Sequence, residues 1–172
     1  SAHVGGSMYL RTFGVPALVG DDGTTLISSA KQLLVLAYLE ANPGGASRDL
    51  LASMAWGDSG DEKARGSLRQ ALLQLRRVLG DEVIEADNRQ VRLAQPLRSD
   101  RADFLAAVHE RDDRRAASLH VGPYLHTIEL DDPDLIHTWL PSERLRLSRL
   151  WQEASIRLAN SELVDGSNSR AA

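Results

Sequence analysis

The sequence predicts a mainly α-helical protein with small antiparallel β elements, arranged as two consecutive parts. Three observations lead there. Short apolar runs broken by Gly, Pro and Asp-Gly precede Ser28, three helical periodicities with Ser or Gly at their ends lie between Ser29 and Gly80, and helical patterning dominates from Asp100 onward.

The first part opens with YLRTFG, PALVG and TTLI, separated by Gly14-Val15-Pro16 and Asp21-Asp22-Gly23. An Asp-Gly pair between apolar runs is a hairpin signal, so two or three short antiparallel strands are expected from Tyr9 to Ile27. Ser29 reads as an N-cap for a segment through Leu39 that is apolar on most faces, hence a core helix, ended by Asn42-Pro43-Gly44-Gly45. Ser47 is expected to cap a second, short helix through Met54, with Leu50, Leu51, Met54 and Ala55 inward and Gly57 as its stop. Ser59 and Glu62 fit the S/T-x-x-E capping box of a third helix running to Leu79 before Gly80. Glu82 to Ala86 and Gln90 to Ala94 flank Asp87-Asn88-Arg89 as a two-stranded hairpin. Strands, helix, helix, long helix and hairpin form the order of a winged helix-turn-helix with an N-terminal antiparallel sheet and a C-terminal wing, assigned to residues 8–97.

After a linker, Ala94 to Ser99, an all-α second part is expected over 98–165, with helices around Phe104 to Val108, Ala116 to Leu119 and Pro141 to Leu163. Glu129 to Asp134 lacks the glycine and terminal glutamate of a calcium loop and reads as a connection, with Pro133 starting the next helix. Trp139, Leu140, Leu145, Leu147, Leu150, Trp151, Ile156 and Leu158 are mostly core by their spacing, and any left uncovered would form a contact surface. Residues 1–7 (SAHVGGS) read as a cloning remnant and 166–172 as a flexible tail.

Composition narrows the function classes. The chain has 172 residues, no Cys, 42% hydrophobic and 26% charged residues, and a net charge of −4. Disulfides and thiolate metal sites are excluded, and the longest apolar run, Leu33 to Leu39, falls far short of the roughly 20 residues a spanning helix needs. A cytoplasmic chain with no membrane partner is expected. No phosphate loop, nucleophile elbow, H-E-x-x-H or dinucleotide fingerprint is present, and His3, His109, His120, His126 and His137 lack ligand spacing. Neither an enzyme nor a metal or small-molecule cofactor is therefore expected. The basic residues comprise 18 Arg and 2 Lys, and Lys63 to Gly80 holds Lys63, Arg65, Arg69, Arg76 and Arg77 with no acidic residue.

That one-sided stretch is the third helix. At about 100° per residue, Ala64, Leu68, Ala71, Leu72, Leu75, Val78 and Leu79 share one stripe, the core face. Opposite stand Lys63, Gly66, Arg69, Gln70, Leu73 and Arg77, flanked by Arg65, Arg76 and Gln74. Such a face suits the major groove of double-stranded DNA, where Arg pairs with guanine, Gln with adenine and an exposed Leu touches a thymine methyl. Arg76, and Arg89 and Arg92 of the hairpin, are candidate phosphate contacts. An exposed cationic helix face is also common solvated surface; its place between a short helix and a hairpin favours the nucleic-acid reading.

The runs KQLLVLAYLEANPGGASRDLLASMAWGD and ARGSLRQALLQLRRVLGD resemble the OmpR-like winged helix of the actinobacterial antibiotic-regulatory (SARP-type) activators. Asp100 and Phe104 at D-x-x-x-F spacing, Gly122-Pro123-Tyr124-Leu125, and Trp139-Leu140 followed by Glu143-Arg144-Leu145 are similar to the start of their bacterial transcriptional activator domain. The resemblance covers roughly residues 8 to 163. It implies a TPR-like helical second domain, sequence-specific DNA binding through the third helix, contact with RNA polymerase, and dimeric or tandem binding on direct repeats. The second part is shorter than that family's domain, so the chain is expected to be a fragment. Where the family has Gly-Tyr before its last strand, this sequence has Arg89-Gln90-Val91. The competing expectation is an interaction or sensor module of a larger signalling protein that does not bind DNA.

Overall fold

The computed structural model describes residues 7–129 and 133–171. Expectations placed on residues 1–6, on 130–132, and on the side chains of Asp134 and His137 lie outside the described residues. Ser7, read with residues 1–6 as a cloning remnant, donates its N–H to Asp21 Oδ2 at 2.8 Å, and Arg98 donates to its hydroxyl.

Three strands open the fold as expected, β1 (Tyr9–Arg11), β2 (Ala17–Val19) and β3 (Thr25–Ile27), in an antiparallel meander. Leu10 pairs with Leu18 and Leu18 with Ile27, which puts these apolar residues on the buried face. The turn into β3 uses Gly23 at φ 79°. Helix α1 (Ala30–Ala41) begins at Ser29, whose side chain accepts from Gln32 N, and buries Leu33 through Ala37 and Leu39. It is the centre of the core. Gly45, at φ 85°, follows the Pro43-Gly44 turn, and a Cβ there would lie 2.4 Å from the Val91 carbonyl oxygen. That close approach lets β4 (Ala46–Ser47) pair with a strand some 40 residues away.

Helix α2 (Arg48–Trp56) is capped by Ser47, whose hydroxyl accepts from Leu50 N at 3.0 Å. Leu51, Ala52, Met54 and Ala55 are buried, while Leu50 is only half-buried. One terminus expectation holds and the next does not. Helix α2 ends at Gly57 as expected, although Gly57 keeps right-handed angles (φ −56°) and the chain rolls on into a 3₁₀ turn over Gly57–Ser59. Gly60, at φ 80° and ψ 153°, then holds the N-cap position of α3 (Asp61–Leu79), so Ser59 is displaced and the Ser59–Glu62 capping box does not form. Asp61 and Glu62 instead sit in the first turn, where their charge complements the helix dipole. Gly80, at φ 102°, ends α3 as expected.

Strands β5 (Ile84–Ala86) and β6 (Gln90–Leu93) form the expected hairpin, and β4 joins β6 to give a second three-stranded sheet in the order β4-β6-β5. The second part holds α4 (Asp100–His109), α5 (Asp113–Leu119) and α6 (Pro133–Ala171). Pro133 starts α6, but Pro141, read from sequence as a helix start, lies inside it. Gly166 to Ala171, the described part of the expected flexible tail, forms exposed final turns of the same helix.

The two parts are stitched to each other. Asp100 is buried at the start of α4 and its carboxylate accepts from Thr12 N (2.8 Å), Thr12 Oγ1 (2.5 Å) and Phe13 N (3.0 Å). Burial pushes the Asp100 carboxyl above its ordinary value, against the pull of those donors. Leu125 N donates to Thr12 O and Gly14 N to Pro123 O, so the Gly122–Leu125 loop runs along β1's extension. Phe13 then packs edge-on against Phe104 at 5.4 Å between ring centroids and against Tyr124 at 6.2 Å. Arg144 on α6 holds the loop by donating to the Tyr124 and Leu125 carbonyls at 2.7 and 2.6 Å.

Candidate nucleic-acid interface

Helix α3 divides as its periodicity requires. Ala64, Leu68, Ala71, Leu72, Leu75 and Leu79 are buried against α1 and α2, and Val78 is half-buried. Lys63, Arg65, Arg69, Gln70, Leu73, Gln74 and Arg77 are all exposed. Leu73 keeps 43% of its surface open on this face. Among the described residues, α4 packs on β1 and α5, and α5 on α6. Gly66 has nothing within 4 Å of where a Cβ would stand, so the protein's own packing does not demand glycine there.

The cations differ in how far they are committed. Arg65 lies 3.4 Å from Asp49 with both side chains mostly exposed, a pairing of little energetic weight. Arg76, expected as a phosphate contact, is the most committed of these cations to the protein itself. It is half-buried, its Nη2 donates to the Ile84 carbonyl at 3.3 Å, and its Nε is sealed from solvent. It joins α3 to β5.

At the hairpin tip, Asp87 accepts from Arg89 N (2.7 Å) and Gln90 N (2.8 Å), and these bonds hold its carboxyl below the usual carboxylate range. Arg89 projects from that turn, exposed. Arg92 faces Glu85 across the strands and pairs with it, both about half exposed.

Two regions beside α3 escaped the sequence reading. Arg48, at the start of α2, donates through Nε to the Asp87 carbonyl at 2.6 Å and so stands at the hairpin tip with Arg89. On the other flank, a groove of about 560 Å³ runs between α3 and the N-terminus of α1, with Lys31 opposite Lys63, Gln70 and Gln74. Periodicity along one helix carries no information about which neighbour lies beside it. A second concavity, about 660 Å³, lies between His120–Pro123 and α6 and is walled by Pro141, Leu145 and Trp151. His120 stacks on Trp151 there at 5.3 Å, and burial lowers its pKa. Among the described residues, no group of three or more His, Asp or Glu is placed to hold a metal ion.

No family model and no curated protein matches the chain. Among solved structures, it is similar to Mycobacterium tuberculosis EmbR in complex with a low affinity phosphopeptide, with a TM-score of 0.62, 22% identity and 96% of this chain covered. The fold is shared. The match takes in 50% of the EmbR chain, so this sequence spans half the length of that protein. Small antiparallel sheets framing a helical core, followed by further helices, are thus an arrangement already known in EmbR. No helix among the described residues is long and apolar enough to cross a membrane.

Proposed function

We propose that this chain is a sequence-specific binder of double-stranded DNA that regulates transcription, with α3 in the major groove. The observation that carries the reading is the open outer face of α3, where Lys63, Arg65, Arg69, Gln70, Leu73 and Arg77 stand together while the leucines of the same helix anchor it. In this reading β5–β6 is the wing of a winged helix, with Arg89 and Arg92 on a flanking backbone or minor groove. Helices α4 to α6 are the beginning of a TPR-like bacterial transcriptional activator domain. Activation by contact with RNA polymerase, binding as a dimer or in tandem on direct repeats, a cytoplasmic location, and the absence of catalysis belong to the same proposal. They draw on the SARP-type resemblance, which the EmbR-like fold supports.

Selection of genomic fragments on the immobilised protein, followed by footprinting, tests it. If about four to six phosphates are neutralised, log K falls against log salt with a slope of roughly −4 to −5. Failure to retain any duplex at low salt sinks the proposal in favour of an interaction module. One feature favours that second reading: Leu145, Ile156, Leu163 and Val164 are exposed along α6, more apolar surface than a free-standing helix face needs.

A further inference from the structure

We propose that the seam between the two parts is a proton-sensitive joint: Glu40, in the last turn of α1, is held there as a neutral carboxylic acid, and loss of its proton loosens α4, α6 and the Tyr124 loop from α1. Only 4% of the Glu40 side-chain surface is open. Its Oε1 accepts from the hydroxyl of Ser99, the N-cap of α4, at 2.8 Å. Its Oε2 is sealed from solvent and receives no hydrogen bond. A buried ionised carboxylate is costly unless a close cation and several donors hold it.

The cation that could serve Glu40 is committed to another acid. Arg101 of α4 bonds Glu143 of α6 through Nη2 at 2.8 Å and Nε at 2.9 Å, and comes only to 3.6 Å of Glu40 Oε1. Among the described residues, the titratable and charged groups facing Glu40 are Asp100 and Arg101 of α4, Glu143 of α6 and Tyr124 of the loop. Glu143 has the close guanidinium, and Arg146 bonds it as well at 3.1 and 3.2 Å. Asp100 has donors of its own in Thr12 and Phe13. Glu40 is the acid left with one hydrogen bond and no cation at bonding distance. A proton answers that shortage, since it removes the charge and turns Oε2 into a donor. The Tyr124 hydroxyl, sealed and unpartnered like Oε2, feels the charge of Glu40 and is an acceptor of the kind a carboxylic O–H uses. Burial pushes the Glu40 carboxyl in the same direction, above its ordinary value, against the pull of Arg101 and Ser99. With the folded value raised above the unfolded one, the stability that Glu40 contributes is complete below the ordinary carboxylate range and is lost as pH rises through the folded value.

The full chain tests this without any ligand. Side-chain carboxyl carbons are followed by NMR as pH is raised, and one glutamate signal, absent from Glu40→Gln, is expected to titrate at higher pH than the other glutamates. Denaturant unfolding between about pH 4 and pH 8 gives an independent measure. Glu40→Gln keeps an acceptor for Ser99 without the charge, so its unfolding midpoint should gain on that of the unaltered chain as pH rises. The amides of Gly14 and Leu125 bond across the seam, and their protection from hydrogen exchange should fall over the same range in the unaltered chain and hold in Glu40→Gln. A Glu40 carboxyl that titrates together with the other glutamates overturns the joint, as does a midpoint difference between variant and parent that is the same at every pH. Protection of both amides that stays constant while Glu40 loses its proton overturns the loosening.

Discussion

Individual side chains on α3 divide into those left on its open face and those fastened to the domain. Arg69 and Arg77 are exposed and, among the described residues, form no hydrogen bond or ion pair, so Arg69→Ala or Arg77→Ala should leave the melting temperature nearly unchanged. On a selected site each should cost about 1–3 kcal/mol of binding and relax base preference, measured by titrating single-base variants of that site. Arg76 carries the same charge one residue earlier and should behave oppositely. Removing its bond to the Ile84 carbonyl loosens the hairpin, so Arg76→Ala should lower thermal stability by about 1 kcal/mol. Sequence alone placed Arg76 on a flank of the face that holds Arg69 and Arg77, because helical phase assigns a flank but not the strand that packs on it. Gly45 is the residue on which the second sheet depends. A Cβ 2.4 Å from the Val91 carbonyl, at φ 85°, forces β4 and β6 apart, and Gly45→Ala should destabilise by about 1–3 kcal/mol in denaturant melts.

Elements were legible where one chain segment carries its own pattern. The stripe of α3, the Ser29 and Ser47 caps, and the Asp87 turn all express local chemistry, and each appears where the sequence points. Leu75 is the fully buried centre of that stripe, and Leu75→Ala should cost about 2–5 kcal/mol by leaving a cavity, in contrast to the exposed Leu73. Strand β4 was not legible, because two residues, Ala46 and Ser47, are a strand only by virtue of a distant partner. The capping box failed for a different reason. Its spacing was right, but Gly60 can adopt φ 80° and redirect the chain before Ser59 reaches the helix. His120 shows the same dependence on distant partners, since its stacking on Trp151 and its tilted contact with Phe13 could not be read from spacing. Burial lowers its pKa in the folded state, so the stability it lends is complete above its ordinary value of 6.5 and is lost as pH falls through the depressed folded value. His120→Phe keeps the ring and should flatten the acid side of the stability–pH curve relative to the unaltered protein, as followed by denaturant unfolding.

Across the whole molecule, the two parts share a boundary too well built to be a linker. The D-x-x-x-F spacing was visible in the sequence, but its meaning, a carboxylate gripping β1's extension and a ring packed on Phe13, needed the fold. Asp100→Asn retains the shape yet turns an amide N–H toward backbone donors, and should cost about 1–3 kcal/mol in thermal melts. Residues 8–97 produced alone should be less stable than the full chain, because Leu10 and Phe13 lose the cover of α4 and the Tyr124 loop; a melting temperature equal to that of the full chain would refute this. Thr12 is held in both directions, by Asp100 from α4 and by Leu125 from the loop that Arg144 pins to α6. The far helices are therefore tied to the first sheet by bonds on both sides of Thr12 and not by a single flexible joint. If α3 enters a duplex as proposed, two such molecules side by side would keep a spacing dictated by protein shape.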